Sequence, residues 1–131
     1  MMDVNVCLEN IKEKIVLSPV VRSVTVVAER ALNNRGYFRA RMRLVNDDFL
    51  EVSEYIVVKC DRCSTKEYRY QWMDPVQQRL IKRWDNANHF PELENFPHHI
   101  HVGKETEVIP GMPLSIIELL DLLESEVDCK K

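Results

Sequence analysis

The chain has 131 residues, of which 45% are hydrophobic and 30% charged, and its formal net charge is -3. This length fits one globular domain over residues 1–131, because two independent halves would each be too small to bury a stable core. No apolar run approaches the roughly 20 residues of a membrane span, and the N-terminus lacks the apolar region of a signal peptide, so we expect a cytoplasmic protein that does not enter a membrane.

The four cysteines do not form a metal-binding pattern. Cys7 and Cys129 lie near the ends of the chain, whereas Cys60 and Cys63 flank a predicted turn. A structural zinc site would need a second spaced pair of ligands. We therefore expect inert thiols in a reducing compartment, and we expect no cofactor.

The first predicted elements are a helix and a strand. Apolar residues recur at helical spacing within residues 5–16, which predicts a short amphipathic helix. Residues 20–29 are rich in valine and predict a strand that is partly covered on both faces. The sequence Asn33-Asn34-Arg35-Gly36 is typical of a turn.

Three longer strands are predicted next, over residues 37–45, 49–59 and 64–72. The first of them alternates most strictly, with apolar residues on one face and arginines on the other. Those arginines are Arg39, Arg41 and Arg43.

The register of these strands depends on their two turns. Two-residue loops at 46–47 and 61–62 would place Glu54 opposite both Arg39 and Arg69. Glu54 is then expected to be a structural clamp within a row of charged side chains, rather than a catalytic base.

The second half of the chain predicts a fourth strand over residues 79–86, a loop over 91–97 and a short strand over 98–102. Residues 103–111 read as a polar connection. Ser115-Ile116-Ile117-Glu118 then matches a capping box that opens an apolar C-terminal helix. Together the elements predict an α+β fold, a curved antiparallel meander of five or six strands with an N-terminal and a C-terminal helix packed against it.

All four histidines of the chain lie within residues 83–103. The strand period of two puts His99 and His101 on one face, while Asp85 ends the preceding strand and His89 returns over the same edge. Imidazoles titrate near neutrality, so this set suits acid and base catalysis on a phosphodiester.

The same histidines and carboxylate also suit a metal ion, because together they offer a plausible four-ligand shell. The spacing does not separate the two chemistries. We favour the metal-free version slightly, because arginines crowd the region and would repel a cation. The simplest alternative is a set of solvated loop histidines beside a strand.

Basic side chains on neighbouring strands predict contacts with an RNA backbone. Their alternative role is a solvated strand face or a set of structural ion pairs. The candidates for RNA contact are Arg39, Arg41, Arg43, Arg69 and Arg83.

Five segments also carry a likeness to a known family. They are residues 36–41, 50–55, 67–72, 83–86 with His89, and 96–101. Read in order, they resemble the TumE family of toxins from prokaryotic type II toxin-antitoxin systems, over about residues 17–125. The most specific part is the Asp-Asn pair, the histidine after it and the closing His-x-His.

The resemblance implies a cytoplasmic toxin that inhibits translation by acting on RNA, and a cognate antitoxin with a helix-turn-helix domain that neutralises it. The family often has a proline immediately before the histidine that corresponds to His89. This chain has Asn88 there instead, and the loss of the proline loosens the turn. The positions to which the family pattern points are Asp85, His89, His99 and His101, with Arg83 and Glu54 behind them.

The functional prediction is therefore a toxin that acts as a metal-independent endoribonuclease. The alternatives are a metal-dependent phosphodiesterase that uses the same residues and a non-catalytic RNA-binding regulator. The sequence leaves homo-oligomerisation open.

Overall fold

Within residues 2–127, seven strands form one antiparallel sheet in chain order, accompanied by two helices. The computed structural model describes residues 2–127. The elements are α1 (Val4–Leu17), β1 (Val21–Leu32), β2 (Arg35–Leu44), β3 (Phe49–Lys59), β4 (Arg62–Met73), β5 (Leu80–Asp85), β6 (His99–Val102), β7 (Val108–Pro110) and α2 (Ile116–Glu126).

The predicted α+β meander with terminal helices is confirmed, but the sheet has seven strands rather than five or six. The additional strand is β7, which has three residues and lies inside the predicted polar connection. So short a segment carries too little side-chain periodicity to be recognised in a sequence. Within residues 2–127, no helix is long and apolar enough to cross a membrane.

Both helices begin at capping side chains. The Asp3 carboxylate accepts a backbone N–H of the first turn of α1 (2.9 Å), and Ser115 and Glu118 form the predicted capping box of α2. α1 approaches β2 closely at Gly36, where a Cβ would lie 2.8 Å from a methyl carbon of Val4. The helices bury Val4, Cys7, Leu8, Ile11 and Ile15 of α1 and Ile116, Leu119, Leu120 and Leu123 of α2.

One face of the sheet forms the hydrophobic core with the two helices. Its fully buried strand residues include Phe38, Met42, Leu44, Leu50, Val52 and Tyr70. The other face carries the arginines of β2. Because strand side chains alternate, every second residue of each strand points to this second face.

The predicted register of the first hairpin is wrong by one residue. The Leu44 N–H donates to the Asp48 carbonyl (2.9 Å), so the loop between β2 and β3 has three residues rather than two. Phe38, and not Arg39, therefore lies opposite Glu54. A shift of one residue exchanges the two faces of a strand, so Glu54 lies on the core face.

The register of the second hairpin is also wrong by one residue. The turn is Cys60-Asp61, one residue earlier than predicted, and Lys66 is an extra residue in β4 that produces a bulge. Ser53, and not Glu54, lies opposite Arg69. The predicted charged row thus loses its carboxylate at this position.

β1 forms one edge of the sheet and is largely exposed, so its predicted cover on both faces is wrong. Only Val21 and Ala28 are half-buried along the strand. An edge strand has no neighbour on one side, and the composition of a segment predicts a strand without predicting its place in the sheet.

Cys7 of α1 is disulfide-bonded to Cys63 of β4, with 5.9 Å between their Cα atoms. The prediction of inert thiols is therefore wrong for this pair. The packing of α1 across the sheet brings together two cysteines 56 residues apart, which spacing alone does not reveal. Cys60 is free and exposed, and Cys129 lies outside the described residues.

Candidate functional site

Two neighbouring rows of side chains cross the sheet on the face opposite the helices. Antiparallel pairing places each residue of a row beside the next, about 4.8 Å away on the adjacent strand. The first row is Arg39, Ser53, Arg69, Asp85 and His99, and the second is Arg41, Glu51, Gln71, Arg83 and His101.

Asp85, His99 and His101 meet at the β5–β6 end of these rows, and we call them the Asp85 cluster. Nε2 of His99 lies 2.8 Å from one oxygen of Asp85, and Nε2 of His101 lies 3.7 Å from the other. The three residues are only 2–6% exposed. A carboxylate with two imidazoles, held away from water, has the donors for either proton transfer or metal ligation.

The tautomer of both histidines is fixed by backbone carbonyls. Nδ1 of His99 lies 2.9 Å from the carbonyl oxygen of Pro97, and Nδ1 of His101 lies 2.8 Å from that of Glu105. A carbonyl oxygen only accepts hydrogen bonds, so each Nδ1 carries the hydrogen. In the neutral rings, Nε2 therefore carries a lone pair and no hydrogen.

The buried Nε2 of His99 has no hydrogen-bond partner among residues 2–127. It lies 2.8 Å from an Asp85 oxygen, but the two atoms lack the alignment of a hydrogen bond. An unprotonated nitrogen is not stabilised by being close to a carboxylate, because both atoms carry negative partial charge.

Asp85 is also held from its other side. It accepts the Ala87 N–H (3.1 Å) and the Nε–H of Arg83 (3.3 Å). Arg83 in turn forms two hydrogen bonds with the Glu105 carboxylate (2.6 and 2.5 Å), and this guanidinium holds the pKa of Glu105 below its ordinary value. The Glu105 carboxylate therefore largely compensates the positive charge that Arg83 would otherwise exert on the cluster.

A cleft of about 840 Å³ opens over the cluster, and both Asp85 and His101 line it. The ring of Phe90 stands edge-on to His99 (5.1 Å between centroids) and to His101 (5.9 Å). His101 thus reaches the cleft, whereas His99 lies behind Phe90. His89 is exposed on the wall of the cleft and is not a member of the cluster.

The family model described as toxin TumE matches residues 11–129. The chain belongs to the TumE toxin family. The match includes every strand of the sheet and both rows of the site. No curated protein and no solved structure matches the chain. Membership in the TumE toxin family implies an antitoxin partner.

The predicted RNA-binding arginines of this TumE-family toxin differ in their surroundings. Arg69 and Arg83 line the cleft, whereas the three predicted arginines on β2, Arg39, Arg41 and Arg43, lie outside it. Arg39 donates to Glu51 (2.8 Å), and Arg41 lies 3.6 Å from the same carboxylate. The remaining one, Arg43, donates to the carbonyls of Asp47 (3.2 Å) and Pro75 (2.7 Å).

Glu54 lies outside the arginine row. It is buried on the core face and accepts the Ile116 N–H (3.0 Å), the Thr65 hydroxyl (2.5 Å) and the Tyr70 hydroxyl (3.3 Å). Burial raises the pKa of Glu54 above its ordinary value of 4.5. Glu54 therefore fixes the N-terminus of α2 and takes no part in the site.

The sequence does not indicate two contributors to the TumE site. Glu105 lies in the connection after β6 and carries no periodic signal, although its carboxylate holds Arg83 and its carbonyl holds His101. The contact of the Pro97 carbonyl with His99 likewise cannot be predicted from a pattern of side chains, because it is made by the backbone. A proline two residues before a strand histidine is the only signal that could have indicated it.

Proposed function

We propose that this toxin is an endoribonuclease that inhibits translation by cleaving RNA. The observation that carries the proposal is that Asp85 and His101 of the Asp85 cluster line a cleft that is also lined by Lys66 and Arg69. Cationic side chains attract and orient a phosphate backbone. A reactive cluster and cationic side chains in the same cleft suit a phosphodiester substrate.

The metal-free version of this chemistry begins at His101. Its Nε2 takes the proton of a ribose 2′-hydroxyl, the 2′-oxygen attacks phosphorus, and the 5′-oxygen leaves with a proton from His89 on the cleft wall. Asp85 stabilises the imidazolium that forms, and Arg69 stabilises the charge of the phosphorane. The products are a 2′,3′-cyclic phosphate and a 5′-hydroxyl.

An aromatic pair beside the cleft supports a single-stranded substrate. Tyr55 lines the cleft with 47% of its surface exposed, and its ring lies 4.5 Å from that of Tyr37. Exposed aromatic rings stack on unpaired bases and contribute about 1–3 kcal/mol per base. In the observed register, Glu54 lies on the core face and its neighbour Tyr55 lies on the face of the cleft.

The test is to induce the wild-type protein and His101→Ala without antitoxin, and to follow growth and the integrity of total RNA. We expect growth arrest and RNA fragments with the wild type only, because His101 is the histidine of the cluster that lines the cleft. His98→Ala is the matched control, since His98 faces the other side of the sheet and bonds Tyr68 (2.9 Å).

Arrest by both the wild type and His101→Ala, with RNA intact, would contradict a catalytic role and favour a non-catalytic RNA-binding inhibitor. A helix-turn-helix domain in the antitoxin, homo-oligomerisation and a cytoplasmic location stay predictions. A metal-dependent route through the same cluster is favoured by one specific observation, the partnerless Nε2 of His99.

A further inference from the structure

We infer that Asp85, His99 and His101 bind one divalent transition-metal ion, of which Zn²⁺ is the representative. Their ligand atoms lie within 4.8 Å of one another. Zinc binds histidine nitrogens and carboxylate oxygens at about 2.0–2.2 Å, so small side-chain rotations suffice to bring the three donors onto one ion. Two imidazoles and one carboxylate form a donor set that suits zinc, iron or manganese better than magnesium.

The hydrogen bonds behind the histidines are those of metal ligands. Histidines that bind a metal through Nε2 generally donate Nδ1–H to a backbone carbonyl or a carboxylate, which fixes the tautomer and aims the lone pair. Both His99 and His101 do so, through the carbonyls of Pro97 and Glu105. In an acid-base pair of histidine and aspartate, by contrast, the carboxylate accepts a ring N–H. Here Asp85 faces the two nitrogens that lack one.

The partnerless nitrogen supplies an independent reason. Nε2 of His99 belongs to a side chain that is 98% buried, and no described residue donates to it or accepts from it. Buried polar atoms are almost always satisfied, so this one indicates a missing partner. An ion between Nε2 and the carboxylate satisfies both, and it replaces their mutual repulsion by attraction to a common cation.

The charge around the cluster permits a cation. The repulsion predicted from nearby arginines is weak, because Arg83 is paired with Glu105 at 2.5–2.6 Å. With neutral imidazoles, Asp85 and Glu105 outweigh Arg83 by one negative charge. Arg69 is exposed, so solvent screens its charge and it adds little repulsion.

The ion would have one open side. Phe90 covers His99, whereas Asp85 and His101 line the cleft. A site with three protein ligands and an open position is typical of catalytic rather than structural zinc, because water or a phosphoryl oxygen occupies the fourth position. The inference therefore rests on the proposed function for the role of the ion, but not for its binding.

The experiment uses purified full-length protein, stripped with chelator, in a Cys60→Ser background that removes the exposed thiol. Titration calorimetry with Zn²⁺ is expected to show one ion per chain, with at least 10-fold weaker binding of Mg²⁺. Asp85→Asn is expected to weaken Zn²⁺ binding at least 10-fold, whereas His98→Ala leaves it within about twofold.

A second measurement leaves Asp85, His99 and His101 unchanged, so it does not depend on whether the Asp85→Asn variant folds. In nitrogen NMR spectra of the Cys60→Ser protein, Zn²⁺ should shift the Nε2 signals of His99 and His101 and leave their Nδ1–H signals in place. The absence of these shifts, or equal binding by the protein and Asp85→Asn, would overturn the inference.

The inference and the proposed function fail in different ways. Stoichiometric Zn²⁺ binding without RNA cleavage would overturn the nuclease and leave the metal site. RNA cleavage by stripped protein that binds no Zn²⁺ would overturn the metal site and leave the nuclease, with His101 as its base.

Discussion

At the scale of single residues, the two nitrogens of each clustered histidine have separate roles. Backbone carbonyls hold Nδ1 of His99 and His101, and this leaves Nε2 of each ring for chemistry. The carbonyls come from segments outside β6, so the loops on both sides of the strand determine the tautomer. The chemistry of the cluster therefore depends on backbone geometry as well as on the identity of its side chains.

The arginines can be ranked at the same scale. Arg69→Ala is expected to weaken RNA binding about 5- to 10-fold and to reduce the salt slope by about one, because its exposed guanidinium lines the cleft. Arg43→Ala is the matched control, since its guanidinium already donates to two backbone carbonyls. Filter binding of a single-stranded RNA at several salt concentrations measures both.

An equal loss of RNA affinity in the two variants would show that the open face of β2, rather than the cleft, contacts the backbone. Arg39 and Arg41 would then be the next positions to change, because they share the Glu51 carboxylate on that face.

At the scale of elements, Glu54 joins β3 to the start of α2. It accepts a backbone N–H of α2 that the helix itself cannot satisfy, together with hydroxyl groups of two β4 residues. This buried carboxylate has a raised pKa, and desolvation is the largest cause. The anchor of the helix is therefore sensitive to pH.

Glu54→Gln is expected to flatten the pH dependence of stability. A carboxyl whose folded-state pKa exceeds its unfolded value contributes most below about 4.5, and this contribution declines as the pH rises through the raised pKa. The wild type should thus lose free energy of unfolding between pH 5 and pH 8 relative to Glu54→Gln. Denaturant unfolding at both pH values measures the difference.

Glu51→Gln serves as the control for Glu54→Gln, because it removes a half-buried carboxylate from the other face of the same strand. Parallel curves for the wild type and Glu54→Gln would contradict a raised pKa. Glu54→Ala should cost about 3 kcal/mol at pH 5 and less at pH 8, since it leaves buried donors unsatisfied and the contribution of Glu54 declines as the pH rises.

At the scale of the whole molecule, the sheet separates stability from function. The helices and the hydrophobic core occupy one face, whereas the Asp85 cluster and its cleft occupy the other. The Cys7–Cys63 disulfide adds a covalent link between α1 and the hairpin of β3 and β4. Its loss should therefore affect stability much more than the site.

Reduction, or Cys7→Ser with Cys63→Ser, should lower the free energy of unfolding by up to about 4 kcal/mol, as chain entropy predicts for a loop of 56 residues. Thermal unfolding with and without reductant measures this, and Cys60→Ser is the control. A melting temperature that does not respond to reductant would show that the sheet and core hold α1 without the bridge.

Properties that repeat over two to four residues can be predicted from the amino-acid sequence. The faces of β2, β4, β5 and β6 follow from alternation, and the start of α2 follows from its capping box. His99 and His101 could be placed on one face for this reason alone, whereas the pairing of Asp85 with His99 comes from the register of β5 and β6. Local geometry and side-chain polarity are sufficient for such predictions.

The faces of β3 and the surroundings of the cluster, by contrast, depend on strand register and on contacts between distant segments. An odd-length loop and the bulge at Lys66 each shift the register by one residue, and the two shifts cancel across β3, so Arg39 and Arg69 share a face while Glu54 does not. The Glu105 contacts and the Cys7–Cys63 bridge also depend on how distant segments pack. Such long-range contacts leave no local periodicity in a sequence, because they are determined when the chain folds as a whole.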